Sequence, residues 1–143
     1  MLCSDALAYL IHNAGYAIVG EDLFSDFLPE EPDTLFAVQE DAASAWIPFA
    51  GTNVASTAFV QIISRCAPLQ YDETVAKAME VHLFLTRLGQ RDAIVTAGST
   101  SFTVRILGVV SNYGPSLIRR DTQDRTVFGA DYMVTWSLAG ELG

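Results

Sequence analysis

The chain has 143 residues, half of them hydrophobic and 17% charged, with a net charge of −9. This length suits one domain, which buries enough surface to fold without staples. No stretch approaches the roughly 18 continuous apolar residues of a membrane helix, the first ten residues lack a basic start and a cleavage signal, and two cysteines are too few for a disulfide framework. The charge is uneven. Asp5, Glu21, Asp22, Asp26, Glu30, Glu31, Asp33, Glu40 and Asp41 precede the first basic residue, Arg65, and the remainder of the chain is neutral. Nonspecific nucleic-acid affinity comes from neutralising phosphates, so an acidic lobe argues against bound DNA or RNA but not against DNA passing nearby.

Ser4–Ala14 reads as a first helix, with Ser4 as cap, Leu7, Leu10, Ile11 and Ala14 on one stripe and Gly15 as terminator. The acidic stretch from Glu21 to Asp33 carries Leu23, Phe24, Phe27 and Leu28, and Pro29 and Pro32 forbid a helix through it. A short turn followed by extended chain is expected, then a short strand over 35–39. Glu40 to Ser56 is loop-like, yet it holds Trp46, Ile47 and Phe49 among small residues. Thr57–Ala67 is a strand, with Ala58, Val60, Ile62 and Cys66 on one face and Phe59 and Ile63 on the other.

Tyr71 to Gly89 is the longest segment with a single reading. Asp72 is its expected cap, and Gly89 is placed for the left-handed residue that ends a helix. Its polar strip is narrow, and apolar residues fill most of the circumference. Such a helix needs cover on most sides, from a sheet on one side and from the first helix or a neighbouring subunit on another. A short strand over 93–97 follows, then an alternating strand over 102–110. Asn112 to Asp124 reads as a polar connection because of Gly114 and Pro115. Thr126–Leu138 is the final, longest strand. This order predicts an α+β domain, a mostly antiparallel sheet with two helices packed on one face.

Chemistry is sparse. There is no C-x-x-C, H-E-x-x-H, P-loop or G-x-S-x-G. His82 lacks a Cys, His or carboxylate three or four residues away and reads as a buried or interfacial histidine satisfied by hydrogen bonds. His12 is similarly structural or solvated. No catalytic residue, metal or cofactor is expected. Arg119, Arg120 and Arg125 are candidates for pairing with acids of another subunit, and Trp46, Ile47 and Phe49 for docking on an adjacent subunit.

The order LIHNAG (Leu10 to Gly15), LF (Leu23–Phe24), LPEEPD, the strand FVQIISRCA, its following helix, and Arg120–Asp121 before VFGADYMVTW resembles the tail-terminator, or minor capsid and tail-completion, proteins of tailed bacteriophages. The resemblance spans most of the chain; the 40–56 loop departs from it. It implies a non-enzymatic virion protein, assembled in the host cytoplasm. Such a protein forms a homo-oligomeric ring, a hexamer, at the head-proximal end of the tail tube. It ends tube polymerisation and contacts the tail tube protein and the head–tail connector proteins, while DNA passes through unbound. The alternatives are a connector or neck protein of the same particle and a small-ligand-binding α+β domain.

Overall fold

The computed structural model describes residues 2–41, 45–48 and 54–138. Helix α1 is Leu2–Asn13 and helix α2 is Tyr71–Thr86. The strands are β1 Leu23–Ser25, β2 Leu35–Glu40, β3 Ala45–Pro48, β4 Val54–Cys66, β5 Arg91–Ala97, β6 Thr100–Arg120 and β7 Thr126–Leu138. They form one sheet in the order β1-β2-β4-β7-β6-β5, with β3 beside β4. The pairing of β1 with β2 is parallel and the other pairings are antiparallel, so the sheet is mixed.

The sheet curls. α1 touches β1 and β2 at one end of the strand order and β5 and β6 at the other, while α2 lies over β4 and β6. Leu7 and Ile11 of α1 share a buried cluster with Leu23, Val38 and Val95, and Val81 and Leu85 of α2 join the same cluster over Val60, Ile62 and Tyr132. Both helices therefore use the sheet face that β7 fills with Ala130, Tyr132, Val134 and Trp136. This is the period-two set that its sequence displays.

α1 starts two residues before its expected cap. Ser4 lies inside the helix and is buried. Its backbone N–H donates to the Glu40 carboxylate at 3.0 Å, and its hydroxyl donates to Asp26 at 2.6 Å. Acids from β2 and from the turn after β1 thus cap the start of α1, at the end where the helix dipole favours negative charge. Gly15 and Gly89 do follow the helices in left-handed conformation, with φ of 86° and 66°.

α2 begins at Tyr71, so Asp72 sits in its first turn rather than at its cap. Its buried stripe is Thr74, Ala78, Val81 and Leu85. Met79 and Leu83, each 41% exposed, stay on the surface. One chain covers this helix on one side only.

Two segments differ from the sequence reading. Within the 40–56 stretch, β3 pairs with the start of β4, Trp46 opposite Ser56 and Ile47 opposite Ala55. The polar connection after residue 112 is strand as far as Arg120. Gly114 and Pro115 occupy a register shift between the Tyr113–Asp131 and Ser116–Gly129 pairs. A bulge accepts a proline that a regular ladder would reject.

One-sided burial of α2 is measurable on the monomer by urea unfolding. Leu85→Ala is expected to cost about 2–5 kcal/mol. Leu83→Ala, two residues away, is expected to stay within about 0.5 kcal/mol.

Candidate interaction surface

Arg125 precedes β7 and Arg65 lies on β4, and both side chains turn inward under the acidic segment 30–33. Arg65 donates to the carbonyl oxygens of Asp33 (3.1 Å), Glu30 (3.1 Å) and Pro32 (2.6 Å). Arg125 donates to the Glu30 carbonyl (2.6 Å) and to the carboxylates of Asp121 (2.7 Å) and Asp33 (3.2 Å). Burial lowers the pKa of Arg65, helped by the neighbouring Arg125 charge. Burial acts on Arg125 in the same sense, but Asp121 and Asp33 outweigh it and leave its pKa raised. With 5% of its side chain exposed, Arg125 has no surface to offer a neighbouring subunit. Its place among the intersubunit candidates is corrected by this burial: its partners are acids and carbonyls of its own chain.

Arg119 and Arg120 end β6 and are exposed. Arg120 reaches Asp124 at 3.4 Å, with both side chains mostly in solvent; such a pair contributes little and leaves the guanidinium accessible. Trp46 and Ile47 lie on β3, and Phe49 lies outside the described residues. The five candidates among the described residues stand in separate places. Arg119 and Arg120 share a strand end, Arg125 is interior, and β3 is on β4, with β7 between β4 and β6.

The sequence reading missed a second feature. β5 pairs with β6 only as far as Ile106, opposite Arg91. From residue 107 to 120, among the described residues, β7 is the only strand beside β6. This half of β6 carries Leu107, Val110, Tyr113, Leu117 and Ile118 exposed, Tyr113 by 56% and Leu117 by 59%. α2 lies alongside: His82 is near Gly114, and Tyr71 stacks edge-on against Phe128, which is opposite Leu117. On α2 itself Met79 and Leu83 are exposed. The alternation that reveals a strand in sequence is interrupted here by four register shifts, so no local pattern marks it.

The histidines are accounted for by structure. His82 is half-buried and its Nδ1 lies 2.7 Å from the Tyr132 hydroxyl. The Val19 N–H donates to His12 Nδ1 at 3.0 Å. An acid-lined cleft opens on the helix-free side between Gln39, Asp41, Gln61, Asn112 and Asp131. Among the described residues, no three His, Cys, Asp or Glu side chains converge to hold a metal, and no helix is long and apolar enough to cross a membrane.

The arginine cluster has a pH signature. Burial alone would raise the Asp121 pKa, but N–H donors of Arg125 and Gln123 and the Arg125 guanidinium hold it below its ordinary 3.8. A depressed carboxylate adds stability above its unfolded pKa that is lost as pH falls through the folded value. Asp121→Asn is therefore expected to destabilise by about 1–3 kcal/mol at neutral pH. Denaturant unfolding as a function of pH should show the gap between variant and wild type closing below about pH 4.

No protein-family model matches the chain, and no curated protein matches it. A solved structure does: a chain of the virion of a native gene transfer agent particle is similar in fold, with a TM-score of 0.52 at 16% identity over 95% of this chain and 88% of that one.

Proposed function

We propose that this chain is a structural component of a phage-like virion and serves as a tail terminator. In this reading it forms a hexameric ring at the head-proximal end of the tail tube, ends tube polymerisation and presents the surface that joins tail to head. The observation that carries the reading is the fold likeness, over 95% of the chain, to a chain of a gene transfer agent virion. A fold alone does not assign a role, and two features favour assembly over pocket chemistry. The helix α2 keeps an uncovered apolar flank, and half of β6 is an open, apolar edge. The net charge of −9 suits a ring through which DNA passes without adhering. The partners are then other copies of the chain, the tail tube protein and the connector proteins, and no cofactor takes part.

Electron microscopy of particles assembled without this chain tests the role. Overlong tails without heads are expected. Tails of normal length that fail to join heads would transfer the role to a connector, and normal joined particles would remove the chain from tail completion. The purified chain is also expected to leave duplex DNA unbound in a mobility-shift assay at about 0.15 M salt, where charges act over about 8 Å.

A further inference from the structure

We propose that the open edge of β6, with the α2 flank beside it, is the surface on which a second copy of this chain seats its acidic β1–β2 edge, so that copies join head to tail. This rests on the ring reading above and names the two surfaces that would build the ring.

An unpaired strand edge presents a row of backbone donors and acceptors, which proteins blunt with proline, bulges or charge. β6 carries Pro115 and four register shifts, yet five large apolar side chains remain exposed between Leu107 and Ile118. Single exposed apolar residues are ordinary; several along one unpaired half-strand mark an interaction surface. Bulges leave that surface too irregular for open-ended strand addition, so side chains, more than a regular ladder, must set the contact.

Charge selects the occupant. Arg119 and Arg120 stand exposed at the end of this edge. A protein surface that fits must be acidic around an apolar centre. The chain carries one: no Lys or Arg precedes Arg65, and beside β1 and β2 it exposes Glu21 and Glu31 together with Ile18, Val19 and Phe27. Glu30 and Asp33 pair with Arg125 while staying largely exposed, and Glu21 and Glu31 are exposed acids of the same region outside that cluster. Contact of the β6 edge with the β1–β2 edge sets opposite charges together. These edges lie towards opposite ends of the strand order, β1-β2-β4-β7-β6-β5, so the contact is heterologous, the type that closes into rings.

Charge reversal on the full chain tests this, read by sedimentation of the free chain and by incorporation into tails. The substituted residues are exposed, and circular dichroism checks that each variant folds. Arg119→Glu with Arg120→Glu, or Glu21→Lys with Glu31→Lys, is expected to weaken self-association about tenfold or more at low salt. All four substitutions on one chain restore opposite charges and should restore association. Leu117→Asp should weaken it without any such rescue. Rings that form equally well in every variant would overturn the assignment of these surfaces and leave the ring reading standing. Weakening by each pair without rescue by the four would overturn the head-to-tail pairing. A wild-type chain that stays monomeric both free and in the presence of tail tubes would overturn the assignment and the ring reading together.

Discussion

Two buried arginines, one on β4 and one in the turn before β7, govern how the two halves of the chain meet. Arg65 and Val127 are paired across β4 and β7, and Arg125 enters the same region from the turn before β7. Two guanidiniums this close repel, and a buried charge left without partners costs several kcal/mol. The cost is met by main-chain carbonyls of Glu30, Pro32 and Asp33 and by the carboxylates of Asp33 and Asp121. Carbonyls serve only if the segment from 30 to 33 is held in one shape over the sheet. That shape places Leu28 and Phe24 over Leu35, Ala37, Ile63 and Val127, a small second core on the helix-free face. The acidic lobe is thus tied to the sheet by its backbone, and several of its side-chain charges stay at the surface.

The larger core works differently. α1 lies between the two ends of a curled sheet and is packed on several sides, so its small residues Cys3, Ala6 and Ala8 are as buried as Leu7 and Ile11. Burial strongly raises the Cys3 thiol pKa, with Glu40 and Asp26 adding to the effect; this is the setting of a structural, unreactive cysteine. α2 lies at the open part of β6 and has cover from one layer only. The contrast between the helices follows from where the sheet curls. The uncovered flank of α2 and the uncovered edge of β6 are two parts of the same gap.

That gap is the feature of the described residues on which the proposed assembly rests. The titratable groups with shifted pKa values sit mostly at ion pairs and buried joints of the fold: the hydrogen bond from Arg105 lowers Asp92, and burial at the α1 terminus raises Glu40. Perturbed groups clustered in a cleft would point toward catalysis. Here the perturbations stand mostly at structural joints, and the gap beside α2 holds one of the exposed apolar surfaces, the β1–β2 side another.

Much of the fold was legible in the residues. The helical repeat of α2, the left-handed glycines after both helices, the alternation of β4 and β7 and the division of charge are properties of neighbouring residues, and local sterics and burial act on them directly. The remainder depended on partners far away in sequence. Gly114 and Pro115 are turn residues by local preference, and only pairing with β7 makes them a bulge within a strand. Ser4 is a natural cap, but carboxylates from Asp26 and Glu40 take up the helix end and let α1 begin earlier. Arg125 looks like a solvated cation in a polar run, and its burial follows from the Asp33 carboxylate and the Glu30 carbonyl, 92 and 95 residues away. α2 announces an apolar circumference, but which side stays bare was decided by the curl of the sheet. Periodicity records how apolar a face is, while its cover is set by the tertiary arrangement.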